Sequence, residues 1–178
     1  MKRVKLLDRE FELSIPEADI LRGIKKISDE IDRDLRDKDP LLICVLNGSF
    51  MFASDLMKEM SFNCAISFVK LSSYSGTETT GKVKELIGLS ENIKGRHIVL
   101  LEDIVDTGIT IANATEQLKK LEPKDVRVAT MLFKPDAYVK DMKLDYIGLE
   151  IPNDFIVGYG LDYNGYGRNL RNIYTVVE

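Results

Sequence analysis

The sequence predicts an α/β fold built on a mostly parallel, doubly wound sheet, and three observations carry that prediction. Strand-like and helix-like segments alternate through most of the chain. Two strand-like segments, L-L-I-C-V-L at 41–46 and I-V-L-L at 98–101, are continuous apolar runs, as expected of strands buried on both faces. Each gives way to a turn of small or polar residues and then to a helix-like segment, the pattern of a βαβ unit.

Taken in order, Ser14-Ile15-Pro16-Glu17 has the features of a helix start: a capping serine, a proline in the first turn and a glutamate three residues after the serine. Ile20, Leu21, Ile24, Ile27, Ile31 and Leu35 then recur at helical spacing, with charged residues on the other face. The run 41–46 is the first buried strand. Asn47-Gly48-Ser49 breaks it, 50–60 reads as a helix and 63–71 as the next strand. The second unit repeats this logic with a strand at 98–101, a helix at 109–121 and a strand at 126–133. Short strands are expected at 146–151 and 155–159. In such sheets ligands collect at the C-terminal ends of the strands. That rule places Asn47 to Ser49, Glu102 to Thr110, and Lys134-Pro135 on one edge.

At 178 residues the chain is expected to form one domain, 1–178, with a substantial core. A net charge of −4 and a pI near 5.2 argue against a nucleic-acid binder held by a basic face, but leave room for a small anionic substrate. Cys44 and Cys64 lie in apolar runs without C-x-x-C spacing, which fits buried free thiols in a reducing compartment, the cytoplasm. No apolar run approaches membrane-spanning length, and the basic start Met1-Lys2-Arg3-Val4-Lys5 is not followed by the long apolar region of a secretory leader. No internal repeat, low-complexity tract or domain linker interrupts the pattern.

The densest chemistry lies at 97–111, H-I-V-L-L-E-D-I-V-D-T-G-I-T-I. An apolar strand ends in Glu102 and Asp103, and Asp106-Thr107-Gly108-Ile109-Thr110 then opens a helix. Backbone N–H groups and two hydroxyls in such a turn suit an anion; a plain strand-turn-helix with a solvated acidic end is the alternative. Residues 72–84 (S-S-Y-S-G-T-E-T-T-G-K-V-K) form a polar stretch of about a dozen residues, a functional lid or a disordered loop. Near the end, G-Y-G-L-D-Y-N-G-Y-G-R at 158–168 reads either as loop backbone passing close to something, with Asp162 and Arg168 as charged contacts, or as a surface hairpin. A P-loop and a dinucleotide fingerprint are both missing. His97 is the sole histidine and precedes a strand, so it is assigned a structural or surface role, and a histidine-based triad or zinc site is not expected.

The stretch V-L-L-E-D-I-V-D-T-G-I-T resembles the phosphoribosyl-pyrophosphate (PRPP) signature of the type I phosphoribosyltransferases. V-L-N-G-S-F at 45–50, S-S-Y at 72–74, F-K-P at 133–135 and E-I-P-N-D-F-I-V-G-Y-G-L-D-Y-N from Glu150 extend the resemblance over nearly the whole chain, to the bacterial-type hypoxanthine-guanine branch. The resemblance implies a type I phosphoribosyltransferase fold: a mostly parallel twisted sheet with flanking helices, a mobile loop, and a small hood from the chain ends. It implies transfer of the phosphoribosyl group from PRPP to a 6-oxopurine with Mg²⁺ as cofactor, in a homodimer or homotetramer, with no nucleic-acid or membrane partner.

Carried over residue by residue, the resemblance puts the 5′-phosphate in the turn of Asp106, Thr107, Gly108 and Thr110, with Gly108 permitting close approach. Glu102 and Asp103 face the ribose hydroxyls and the metal. Successive strand residues point to opposite faces, so both acids can serve one ligand only if the strand ends there. Ile104 and Val105 anchor the turn in the core. Asp106 is the general acid/base for the purine N7 proton. Lys134 meets the purine O6, Phe155 stacks on the base, and the Ile156 backbone reads the purine edge. Asp162 is a further metal-linked carboxylate that also reaches the base. Asn47, Gly48 and Arg168 hold pyrophosphate, and Ser73 and Tyr74 belong to the mobile loop. One departure stands out: the family's Lys or Arg before the glycine of the pyrophosphate loop is Asn47 here. A xanthine-preferring transferase and a non-catalytic nucleotide-sensing regulator on the same fold are the alternatives carried forward.

Overall fold

Strand β3 (Leu41–Leu46) is the centre of the molecule, as its unbroken apolar run requires. The computed structural model describes residues 2–73 and 84–177, with backbone only for 72, 73 and 84–87. On one side β3 pairs in parallel with β4 (Ala65–Ser73), and on the other with β6 (His97–Val105). The sheet continues from β6 through β7 (Asp125–Phe133) to β8 (Tyr146–Glu150), all parallel. An antiparallel strand, β5 (Lys84–Ile87), closes the other edge, giving the order β5-β4-β3-β6-β7-β8.

Helices cover both faces. Helices α1 (Glu17–Leu35) and α2 (Phe50–Glu59) pack on one face against Leu42, Cys44, Val99 and Leu101. Helix α3 (Ile109–Lys119) packs on the other against Ile43, Ile98, Leu100 and Val128. Alternate residues of β3 and β6 thus feed two separate cores. In α1, Ile20, Ile24, Ile27, Ile31 and Leu35 are fully buried, each contributing about 1.5–3 kcal/mol of transfer free energy. Leu21, one residue off that stripe, is 42% exposed. Among the described residues no helix is long and apolar enough to cross a membrane.

The start of α1 differs from expectation. Ser14 does not cap it, because Ser14 belongs to strand β2 (Arg9–Ile15) and its hydroxyl donates to the Ile173 carbonyl, 3.2 Å away. The helix begins at Glu17 with Pro16 at the cap position, and the Glu17 N–H donates to Asn172 Oδ1 at 2.8 Å. The cap is therefore supplied from the far end of the chain, beyond the reach of a local pattern.

That far end builds the expected hood. Strand β10 (Ile173–Val176) pairs with β2, which pairs with β1 (Arg3–Leu6), and the two-residue strand β9 (Ile156–Val157) closes a four-stranded sheet of order β1-β2-β10-β9. The expected strand at 155–159 is shorter because Gly158, Tyr159 and Gly160 have φ of 102°, 49° and 96°, left-handed backbone that ends pairing. Phe11, Val157 and Tyr174 form the hood's small core.

Candidate active site

Two strands part company at the C-terminal edge of the sheet. Pairing between β3 and β6 stops at Cys44 and Leu101. Beyond it, Val45 and Leu46 pair only with β4, while Glu102, Ile104 and Val105 pair with β7. The chain also leaves β3 toward one edge and β6 toward the other, so this gap is the switch point where open α/β sheets take ligands.

Contrary to expectation, β6 does not end at Leu101; it runs through both acids to Val105. The acids nevertheless meet, because the pleat loses its alternation there. Leu101 and Ile104, three residues apart, both pack on the α1/α2-side core, and Val105 packs on the other. The Glu102 and Asp103 carboxyl groups lie in hydrogen-bonding contact. Burial holds Asp103 above the ordinary carboxylate range, against the opposing pull of Glu102, the Ile104 N–H at 2.9 Å and the charge of Arg168. Val105 is buried, so the anchoring of the turn is as expected.

The turn that follows borders a cavity of about 160 Å³ whose walls come entirely from 102–111, among them Glu102, Asp103, Asp106, Thr107 and Thr110. Gly108 occupies the N-cap of α3 with φ 80°, and the Ile109 N–H points to Thr107 Oγ1 at 3.4 Å. There is no acid in the first turn of α3, so the positive end of the helix is open to an anion. The space a Gly108 side chain would fill is not left for a ligand, however. A Cβ there would sit 2.2 Å from the Tyr138 ring.

Across the gap, Asn47-Gly48-Ser49 follows β3, with a cis Leu46–Asn47 peptide. A Cβ on Gly48 would lie 1.5 Å from Asp103 Oδ2, and one on Gly160 would lie 2.0 Å from the Gly48 carbonyl oxygen. Residues of three separate segments therefore touch over the switch point. Arg168 fastens the third segment: Nη1 donates to the Gly160 carbonyl at 2.6 Å, and Nη2 lies 2.7 Å from Asp162 Oδ1. Asp162 Oδ2 accepts the Gly165 N–H at 2.6 Å. The tail is thus a loop pressed against the site and not a free surface hairpin. Tyr159, buried, extends this by donating to Asp55 Oδ2 of α2 at 2.5 Å.

Lys134 directly follows β7. Its N–H donates to the Val105 carbonyl at 3.0 Å, and its buried ammonium donates to the Asp154 carbonyl at 2.8 Å and lies 3.4 Å from Asp106 Oδ2. Lys134 therefore joins the turn that begins at Asp106 to the hood. Phe155 keeps 45% of its surface exposed, while its ring centroid lies 6.2 Å from Phe11 and 6.0 Å from Tyr163. It is an open aromatic face on a packed support. Ile156 stands opposite Thr175 in a non-hydrogen-bonded pair, flanked by the Val176 N–H to Phe155 carbonyl bond at 3.0 Å. Its own N–H and C=O point away from β10, toward the sheet edge that β9 forms.

Among the described residues no group of three His, Cys, Asp or Glu is placed to hold an ion by itself. Asp162 is turned to Arg168 and the Gly165 N–H. An adjacent carboxylate pair is still a hard oxygen donor set of the kind Mg²⁺ takes when phosphates supply its other ligands. Tyr74 lies outside the described residues, as does the Ser73 side chain. The sequence reading also overlooked Tyr138, whose partner Gly108 is thirty positions away. His97 is structural: its Nδ1 lies 2.9 Å from Asp125 Oδ1. Cys44 is buried, its thiol pushed up to about 12 by burial, and Cys64 is half-buried; both are free.

A parallel sheet split at an acid pair, a glycine turn opening a helix, and a hood over the split define a type I phosphoribosyltransferase fold. The family model described as "Phosphoribosyl transferase domain" matches residues 16–164. The hypoxanthine-guanine phosphoribosyltransferase of Streptococcus pyogenes serotype M3 is 41% identical over 163 residues, 91% of each chain. A crystal structure of a hypoxanthine-guanine phosphoribosyltransferase from Bacillus anthracis, with a HEPES molecule in its active site, superposes with a TM-score of 0.85 at 36% identity, covering 93% of this chain and 98% of that one. A hypoxanthine phosphoribosyltransferase from Staphylococcus aureus gives the same TM-score and identity over 93% of this chain and 91% of its own. The chain belongs to the hypoxanthine-guanine branch of the phosphoribosyltransferase family.

Proposed function

We propose that the chain transfers the 5-phosphoribosyl group of PRPP to hypoxanthine and guanine, releasing pyrophosphate and forming the nucleoside monophosphate, as a step of purine salvage. The observation that carries this reading is Lys134. A buried ammonium stands between Asp106 of the phosphate turn and the hood that carries Phe155. An ammonium only donates, so it favours a 6-oxo group, which accepts, and disfavours the 6-amino group of adenine.

In this reading the 5′-phosphate sits on the N–H groups and hydroxyls of 107–110, and Glu102 and Asp103 meet the ribose hydroxyls. Phe155 stacks on the base, the edge-facing N–H and C=O of Ile156 read it, and the Asp162 backbone completes that edge. Purine N9 bonds to C1′ as the C1′–pyrophosphate bond breaks, and Asp106 takes the N7 proton. Asp106 is half exposed and so within reach of a base. Asn47, Gly48 and Arg168 receive the leaving pyrophosphate. Glu102 and Asp103 would hold Mg²⁺, with Asp162 linked to it more remotely; when bound, the ion neutralises charge building on pyrophosphate. Ser73 and Tyr74 close over the centre and exclude water. The chain works as one domain, in the cytoplasm, as a homodimer or homotetramer; its two free cysteines support that compartment.

Incubation with PRPP, Mg²⁺ and each purine in turn tests the reading. Turnover is expected with hypoxanthine and guanine, and its absence with both defeats the proposal. Turnover with xanthine alone would move the chain to a different specificity.

Asn47 provides a second test. Its side chain is exposed, at the position where the family resemblance leads one to expect a lysine or arginine. A charge-assisted hydrogen bond contributes about 1.5–3 kcal/mol, so Asn47→Lys should lower the PRPP KM roughly tenfold or more while leaving the hypoxanthine KM in place. Unchanged PRPP dependence would remove pyrophosphate binding from this position.

A further inference from the structure

The proposed reaction gives roles to 106–110 and to Lys134, and none to the segment that follows Lys134. That segment makes one tight turn at Pro135–Ala137 and comes back to the phosphate turn. The Tyr138 ring fills the place of a Gly108 side chain, its Cε2 and Cδ2 lying 2.2 and 2.9 Å from where a Cβ would stand. The ring packs edge-on against Phe133 at a centroid distance of 5.3 Å, and its hydroxyl donates to the Met142 carbonyl at 2.6 Å. The next residue, Val139, donates its N–H to the Thr107 carbonyl at 3.2 Å. Thr107 and Gly108 are thus held from behind at two points. Tyr138 does not line the cavity bordered by 102–111, so it touches the turn and not its ligand.

A glycine in left-handed backbone fits a tight turn but has little rigidity of its own. An anion site made of N–H groups works only when those groups are aimed beforehand. Residues 107–110 contain one such glycine, and what removes its freedom is the ring behind it. We propose that Tyr138 is a positioning residue for the phosphate turn: it props Gly108 so that the N–H groups of 107–110 face the ribose 5′-phosphate. Because its segment begins at Lys134, it also fixes the spacing between the phosphate and base subsites. This rests on the assignment of that turn to the 5′-phosphate.

The test compares the wild-type chain with Tyr138→Phe, Tyr138→Leu and Tyr138→Ala. It reads affinity for ribose 5-phosphate, which asks only about the turn, and the separate KM values for PRPP and hypoxanthine, with the Tm as a check on folding. Tyr138→Phe keeps the ring and should bind ribose 5-phosphate like the wild type. Tyr138→Ala should bind it roughly tenfold more weakly, the scale of one lost charge-assisted hydrogen bond, and raise the PRPP KM alike with the hypoxanthine KM unmoved. Tyr138→Leu, which retains bulk, serves if the alanine variant does not fold and should show the same split. Unaltered ribose 5-phosphate binding in the alanine variant, or in the leucine variant where alanine does not fold, overturns the proposal, as does an equal rise of both KM values with a fallen Tm. A wild-type chain that binds ribose 5-phosphate but turns over no purine defeats the transferase reading and leaves Tyr138 in place. A wild-type chain that ignores ribose 5-phosphate defeats the assignment of the turn and of Tyr138 together.

Discussion

Asp106→Asn is expected to lower kcat by roughly 10²–10⁴-fold, the usual contribution of a positioned acid/base group, while the affinity for the nucleotide product stays close to that of the parent chain. The geometry explains why the two should separate. Asparagine keeps an oxygen to accept from Lys134, which now lies 3.4 Å from Asp106 Oδ2, and keeps the shape of the turn. It cannot take a proton from N7. The carboxylate is half exposed, so its removal leaves no buried ammonium stranded: Lys134 still donates to the Asp154 carbonyl. Steady-state kinetics beside equilibrium titration with IMP decide the matter. Equal losses in turnover and nucleotide affinity would make Asp106 a structural residue of the turn.

Lys134→Met should act on the base and not on the phosphate. Methionine follows the lysine stem into its buried position but donates nothing. The purine O6 then faces no cation, and the hypoxanthine KM should rise by roughly 10- to 100-fold, as for a lost hydrogen bond to a charged group. Adenine, which lysine disfavours, should become a better competitive inhibitor relative to hypoxanthine. The Asp154 carbonyl also loses its donor, so stability should fall by about 1–3 kcal/mol in denaturant titration. A variant with unchanged discrimination between hypoxanthine and adenine would take Lys134 out of base recognition, whatever its stability.

What the sequence made legible follows the range of the interactions. Burial on both faces leaves a continuous apolar run, so β3 and the start of β6 were readable, and the rule about strand ends then put Asn47, Glu102 and Lys134 on one edge. The helical period of α1 is equally local. The cap of α1 was not readable, because Asn172 supplies it across 155 positions and Ser14 is drawn into a strand. The turn at Gly108 could be recognised from five consecutive residues, but the ring behind it could not. The meeting of Glu102 and Asp103 looked forbidden by strand alternation unless the strand stopped. It occurs inside a continuing strand, where Leu101 and Ile104 both pack on one face. The glycines of 158–167 mark backbone that passes close to something, and at Gly160 the neighbour is Gly48. The roles of these residues in binding and chemistry came from family resemblance, and the experiments above bear on them.

The hood has a consequence for the order in which the site is made. Its second strand, β2, lies between β1 at the beginning of the chain and β10 near the end, and β9 is held by β10. On the ribosome β2 has β1 beside it early but lacks its second neighbour until Ile173–Val176 have emerged, and Phe155 and Ile156 have no finished sheet to stand on before then. The phosphate turn is assembled from ten consecutive positions, 102–111, whose strand, β6, already has β3 beside it. A nascent chain therefore completes the half proposed to hold a phosphate well before the half proposed to distinguish one base from another.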